Sequence, residues 1–435
     1  MKTPGVERFD RASAADTDVA QFTLHEVEVD DPDGAAGFGP DALGEAVALV
    51  SDEPQRPVLP EEPHRRVPRT FAGPGGQVGD EGLLQKRLDV EIVTHGRGGS
   101  SQSPKLDVNG GRRQAMGAFA HRTIDGMNLP ALEVLPRDLT PYRAGNTGID
   151  YVHRFESGKP GPHVLINSLT HGNEFCGMVA VCHLLDSGVR PKVGTLTLSF
   201  ANVAAYESFD PERPFDSRQI THNLNRIWSA AQLDGSEDSV ELRRARAMRP
   251  AIAAADHILD IHSTSHDVVP FWVYPGFERN AAVANALPRP DVHLVMPLGL
   301  GSGTPVTQYG AHGRADGKGS AQVVECGQHF KRSSAELATE VALDVLGHFG
   351  LIDREVPPPA RPPQRFELLR THVVRHADFR FALPVIGFET FAKGELIATD
   401  GDEEIRAPLD GCTIVMPTRQ PIVGREGVYL TRPMR

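Results

Sequence analysis

The sequence predicts an α/β protein in which a mixed, largely parallel sheet is flanked by helices and followed by a smaller β-rich domain. Two observations carry this reading. Downstream of Met116, short apolar runs alternate with stretches of helical character, as strands joined by crossover helices do. After the proline-rich linker at 357–363 the chain changes to short strands and turns, including those at 394–398 and 405–411.

Strands are expected at 164–166, 195–200, 258–261, 271–274, 292–296 and 322–325. Helices are expected at 174–186, closed by Gly188, and at 238–255, 280–287 and 333–349, the last closed by Gly350. The final helix opens Ser333-Ser334-Ala335-Glu336, which has the form of a capping box. The expected organisation is a catalytic domain over 116–356 and a C-terminal β domain over 364–435.

Residues 1–115 differ in composition, with 13 Lys and Arg against 20 Asp and Glu, five prolines between 54 and 68, and glycine-rich patches at 73–82 and 96–99. The apolar runs at 46–50 and 88–93 are too short to offset the entropy of ordering, so the segment reads as a low-complexity, disordered extension. The natural protein is expected to begin near Met116, with no catalytic role upstream.

With 435 residues, 40% of them hydrophobic and 23% charged, the chain can bury a substantial core and reads as globular. A formal net charge of −12, without Lys and Arg clusters, argues against non-specific binding to nucleic acid or anionic membranes. Cys176, Cys182, Cys326 and Cys412 form no C-x-x-C pair, which fits reduced thiols in a cytoplasmic protein. The N-terminus lacks an apolar core, and no run of 18 apolar residues occurs, so neither a signal peptide nor a membrane span is expected.

Chemistry concentrates at strand ends. His171-Gly172-Asn173-Glu174 puts an imidazole and a carboxylate three residues apart where a strand gives way to a helix. Open α/β sheets bind ligands there, and histidine with carboxylate is zinc-ligand chemistry. A third ligand is offered by His262 in Asp260-Ile261-His262-Ser263-Thr264, with Asp260 or Ser263 to fix its tautomer and His266 as a rival. Alone, His262 reads as an ordinary buried histidine, and the His171–Glu174 spacing as a pattern that occurs often by chance. The polar stretch 218–226 carries Arg218, Asn225 and Arg226, which suit a developing oxyanion and a carboxylate, or else a solvated loop. Glu325 ends an apolar strand, where a buried carboxylate requires a partner.

Taken in order, His171-Gly172-Asn173-Glu174, Asn223-Leu224-Asn225-Arg226, Asp260-Ile261-His262-Ser263-Thr264 and Glu325-Cys326-Gly327 resemble the succinylglutamate desuccinylase/aspartoacylase family, which belongs with the zinc carboxypeptidases. The resemblance spans roughly 116–435. It implies one zinc ion held by His171, Glu174 and His262, a ligand set known from carboxypeptidase A. It further implies Arg218 polarising the scissile carbonyl, Asn225 and Arg226 holding the substrate's α-carboxylate, and Glu325 as general base. Cys326 stands where an aliphatic residue is more usual. The C-terminal segment resembles the family's small β domain, similar to a lipoyl carrier barrel. Its turn at 407–411 has no lysine to carry such a group, so it is expected to shape the substrate channel.

The function so implied is zinc-dependent hydrolysis of a linear amide in a small, anionic N-acyl amino acid, through zinc-bound water and Glu325. A carboxypeptidase acting on short peptides uses the same chemistry, and a non-catalytic zinc or carboxylate binder is a third reading. Tyr309 and Arg314, in a glycine-rich loop before Glu325, are candidates for reading the acyl group.

Overall fold

The computed structural model describes residues 123–124 and 127–434; the extension at 1–115 and the proposed start at Met116 lie outside them. The strands, in chain order, are β1 (Thr123–Ile124), β2 (Met127–Asn128), β3 (Val152–Glu156), β4 (His163–Ser168), β5 (Thr195–Phe200), β6 (His257–Thr264), β7 (Phe271–Pro275), β8 (Val292–Met296), β9 (Ser320–Gln328), β10 (Gln364–Val373), β11 (Arg380–Phe381), β12 (Thr390–Phe391), β13 (Leu396–Asp400), β14 (Glu403–Arg406), β15 (Cys412–Val415) and β16 (Glu426–Met434). The helices are α1 (Phe175–Asp186), α2 (Val203–Glu207), α3 (Ala230–Asp234), α4 (Val240–Ala254), α5 (Glu278–Ala286) and α6 (Arg332–His348). None is long and apolar enough to cross a membrane.

Eleven strands form one mixed sheet in the order β12-β15-β16-β10-β8-β7-β9-β6-β4-β5-β3. At its centre β5, β4, β6 and β9 run parallel, while β7 is antiparallel to β9. Every residue of β4 is buried, as a strand covered on both faces requires. Val164 and Ile166 share a core with α1 and α6, whereas Leu165 packs with Leu242, Ala245 and Met248 of α4 on the opposite face. Each expected strand and helix between 164 and 349 is present within a few residues.

One local expectation fails. The last helix starts at Arg332 with Lys331 as its N-cap and no side-chain cap, so Ser333 lies inside it and forms no capping box. Ser334 instead donates from its hydroxyl to the carbonyl of Gln328, tying the helix to the end of β9. Gly188 and Gly350 do close α1 and α6 with φ of 64° and 71°.

The C-terminal segment departs from an isolated barrel. It keeps its own apolar cluster around Phe379, Ile397, Ile405, Ile414 and Val428. Yet β10 pairs in parallel with β8 from Gln364 to Glu367, and β16, β15 and β12 follow it outward, so the main sheet continues through this segment. Only β11, β13 and β14 form a separate sheet. The physical cause is the open edge of β8, whose backbone groups β10 satisfies, sealed by a junction cluster including Phe271, Leu294, Leu368, Val415 and Tyr429. This fusion brings C-terminal residues to the candidate site.

Candidate metal and catalytic site

The parallel register of the central strands assembles the site. His262 on β6 is paired with Glu325 on β9, and Asn167 on β4 with Asp260 on β6, so three strands end at one place. Beyond β4 the chain turns through Leu169 at φ 54°, a left-handed conformation that a leucine rarely adopts. Three residues later, a Cβ on Gly172 would lie 2.3 Å from the Ala205 carbonyl carbon and 2.4 Å from the Ser217 carbonyl oxygen. Glycine is therefore required for the turn to nest against the loop carrying Arg218, whose carbonyl accepts from the Gly172 N–H at 3.1 Å.

His171, Glu174 and His262 are all buried, and one ligand atom from each lies within 4.8 Å of the others. Glu174 bridges the pair, with Oε1 at 2.8 Å from His171 Nδ1 and Oε2 at 2.9 Å from His262 Nδ1. Each ring is anchored from behind: His171 Nε2 faces Asn223 Oδ1 at 2.9 Å, and His262 Nε2 faces Asp260 Oδ2 at 2.8 Å. Asp260 is in turn held by the Thr170 hydroxyl and the Asn167 amide, each at 2.8 Å. Two imidazole nitrogens and a carboxylate oxygen, oriented by outer hydrogen bonds, form a donor set that fits zinc. Of the two partners expected for His262 it is Asp260 that meets the ring, while Ser263 turns its hydroxyl to His329 at 2.8 Å. His266 lies outside the ligand group.

Charges of both signs meet at the site. Glu174, Asp260 and Glu325 gather with Arg218 as the neighbouring guanidinium, 3.2 Å from Glu174. Burial alone raises Glu174, but His171 and His262 outweigh it and hold the carboxyl well below its ordinary range. Burial would lower His262, yet Asp260 and Glu174 overcome it and lift the ring well above its usual value. Glu325 has no such compensation: burial, reinforced by Glu174 and opposed by His262 and Arg218, pushes it up to about 8. Its Oε2 is buried without a partner, an open position in the site.

The segment 218–226 is ordered by a residue that the sequence motifs did not single out. Glu241, fully buried in the first turn of α4, accepts the N–H groups of Ile220, Thr221 and His222 at 2.7, 3.2 and 3.1 Å. The sequence carries no specific signal for it, since an acidic residue in the first turn after the N-cap Ser239 is ordinary helix chemistry. The loop delivers Arg218 to Glu174 and Asn223 to His171. Asn225 spends its Oδ1 on the Val306 N–H at 3.1 Å. Arg226 makes a fork to Glu426, with Nε–Oε1 at 2.9 Å and Nη2–Oε2 at 2.7 Å, and also donates to the Tyr429 hydroxyl at 2.9 Å. Both partners come from β16, and neither was legible as a site residue.

A cavity of about 460 Å³ joins these groups, lined by His171, Glu174, Arg218, Asn225, Arg226, His262 and Glu325 together with residues of the C-terminal segment. Tyr309 and Arg314 do not line it. The Tyr309 hydroxyl accepts from Arg249 at 2.7 Å, and the exposed Arg314 pairs with Asp316 at 3.2 Å.

A family model for the succinylglutamate desuccinylase/aspartoacylase catalytic domain matches residues 160–315. Succinylglutamate desuccinylase of Idiomarina loihiensis is 23% identical over 302 residues, covering 61% of this chain and 81% of that protein. That of Vibrio campbellii is 23% identical over 286 residues, covering 62% and 80%. Among solved structures, succinylglutamate desuccinylase from Vibrio cholerae aligns with a TM-score of 0.50 at 20% identity, over 65% of this chain and 85% of that one. The Chromobacterium violaceum desuccinylase aligns with a TM-score of 0.50 at 19% identity, over 66% and 89%. At such identities the structural likeness speaks for the fold alone, an α/β fold with a large mixed sheet flanked by helices. The matched segment contains His171, Glu174, Arg218, Asn225, Arg226 and His262 but ends before Glu325. The motifs, the family-model match over 160–315 and the curated relatives together support a likeness to the succinylglutamate desuccinylase/aspartoacylase family.

Proposed function

We propose that this protein is a zinc-dependent amidohydrolase that removes the acyl group from a small N-acyl amino acid. The observation that carries the reading is the unpartnered carboxylate oxygen of Glu325, buried in the same cavity as the His171, Glu174 and His262 group. A structural carboxylate would be paired, whereas a general base needs an open face.

Zinc held by those three residues would supply Lewis acidity toward the scissile carbonyl and bring the pKa of water toward about 7. The remaining work falls to the chain. Glu325 takes the proton of the attacking water and returns it to the departing amine, so its carboxyl must be ionised at the start. Arg218, one-third exposed at the cavity wall, donates to the carbonyl oxygen as negative charge develops. Asn225 and Arg226 hold the α-carboxylate, with Glu426 and Tyr429 fixing the plane of the guanidinium.

The test is metal analysis of the purified full chain followed by a hydrolysis screen of N-acetyl and N-succinyl amino acids after zinc loading. One zinc per chain with amide hydrolysis is the expected result. Bound metal with no turnover of any substrate would favour a binding protein, and preference for dipeptides would favour a carboxypeptidase.

A further inference from the structure

One wall of the cavity is apolar, and it starts beside the candidate base. Phe271 on β7 is the direct antiparallel partner of Glu325 on β9, so the two side chains emerge on the same face of the sheet. Val273 and Met296 continue this wall from β7 and β8, Val268 adds to it from the loop before β7, and Phe388 and Met416 complete it from the C-terminal segment. The Phe388 ring meets Phe271 edge-on with centroids 5.4 Å apart.

Phe388 and Met416 also share an unusual backbone. Their φ angles are 70° and 50°, left-handed conformations that bulky residues adopt only when their surroundings impose them. The surroundings do so here. The Glu389 carboxylate accepts the N–H groups of Ile386 and Gly387 at 2.8 and 2.9 Å, and the Phe388 N–H donates to the Ile414 carbonyl at 2.7 Å. The loop at 386–389 is thus held in strained geometry, and Phe388 and Met416 each present a large apolar side chain to the cavity.

Of the arginines in the lining, two are engaged with carboxylates. Arg226 is committed to Glu426 and Tyr429, and Arg218 to Glu174. Arg419 lies over the Phe215 ring at 5.0 Å, and Arg425 is exposed. We infer that the wall formed by Val268, Phe271, Val273, Met296, Phe388 and Met416 is a subsite for a bulky apolar group, so that the preferred substrates are N-acyl amino acids with an aromatic or branched aliphatic portion. The inference rests on the hydrolase reading for the identity of the bond that breaks, not for the subsite itself.

The experiment compares kcat/KM of the zinc-loaded full chain for N-acetyl-L-phenylalanine and N-hexanoylglycine with that for N-succinyl-L-glutamate and N-acetyl-L-aspartate. The first pair places the apolar group on either side of the amide, and at least one member should exceed both dicarboxylates by about tenfold or more. Phe388→Gly and Met416→Gly should fold normally, because glycine accepts positive φ freely, and should lower that ratio about tenfold. Calorimetric titration of the protein with N-acetyl-L-phenylalanine and N-acetyl-L-aspartate provides a readout independent of turnover. Preferential binding of the apolar ligand without hydrolysis of any substrate supports the subsite while sinking the hydrolase reading. Hydrolysis with the dicarboxylates equal or superior, binding without apolar preference, or glycine variants that leave the ratio unchanged would each overturn the subsite.

Discussion

Around the ligand group, Glu174, Asp260 and Glu325 surround two imidazoles and a single guanidinium, and one carboxylate oxygen is left open. Across the same cavity Arg226, Glu426 and Tyr429 satisfy one another through short hydrogen bonds. Both groups are largely buried, so both bear the cost of desolvation; the second recovers it throughout from its own side chains, whereas in the first Glu325 is left uncompensated. Its effect shows in the titration: burial raises Glu426, yet Arg226 dominates and holds the carboxyl at about 2, whereas Glu325 stays near 8. A closed charge cluster serves the architecture, here by locking β16 to the loop at 218–226. In the open cluster a buried carboxyl oxygen of Glu325 keeps no partner among its neighbours.

Removing the open carboxylate should therefore cost activity, and removing the closed one should cost stability. Glu325→Gln is expected to lower kcat by about 10²- to 10⁴-fold with zinc content and melting behaviour preserved. Near-normal turnover in that variant would remove Glu325 from its role. Glu426→Ala leaves Arg226 without its carboxylate and should destabilise the fold by about 3 kcal/mol, at the low end for a broken buried pair because the side chains keep some solvent contact. Chemical denaturation measures this, and an unchanged midpoint would show that the pair is not structural.

Asp260→Asn keeps the shape behind His262 but removes the charge that orients it. Zinc affinity should fall about 10- to 100-fold, readable by competition with a chromogenic chelator, and an unaltered affinity would mean the ring is positioned by packing alone. The smallest effect concerns pH. Because Glu426 is depressed from 4.5 to about 2 in the fold, its contribution is complete above about pH 4.5 and is lost as pH falls toward 2. Thermal melts between those limits should fall more steeply for the parent chain than for Glu426→Gln, and parallel curves would contradict the assignment.

The two clusters also differ in how they can be read from a sequence. His171 and Glu174 lie three residues apart and His262 ends an apolar run, so strand order and side-chain chemistry bring them together as soon as the sheet is parallel. Glu325 was legible for the same reason, as a carboxylate ending a strand without a local partner. Arg226 was legible as a cation in a polar loop, but its partners lie 200 and 203 residues away on β16. No local pattern signals such a pairing. Glu241 was hidden for a related reason, since it sits in an ordinary helix and contacts the loop only after the chain has folded back.

What the sequence determined by itself was the strand and helix succession between 164 and 349 and the short motifs that carry His171, Glu174 and His262, because these depend on periodicity and on local chemistry. What only the tertiary structure decided was that the C-terminal segment extends the sheet from the edge of β8, that Arg226 is held by Glu426 and Tyr429, and that Phe388 and Met416 wall the cavity. Those outcomes depend on hydrogen bonding across an open strand edge and on contacts between residues distant in sequence, which are set by register and packing rather than by local composition.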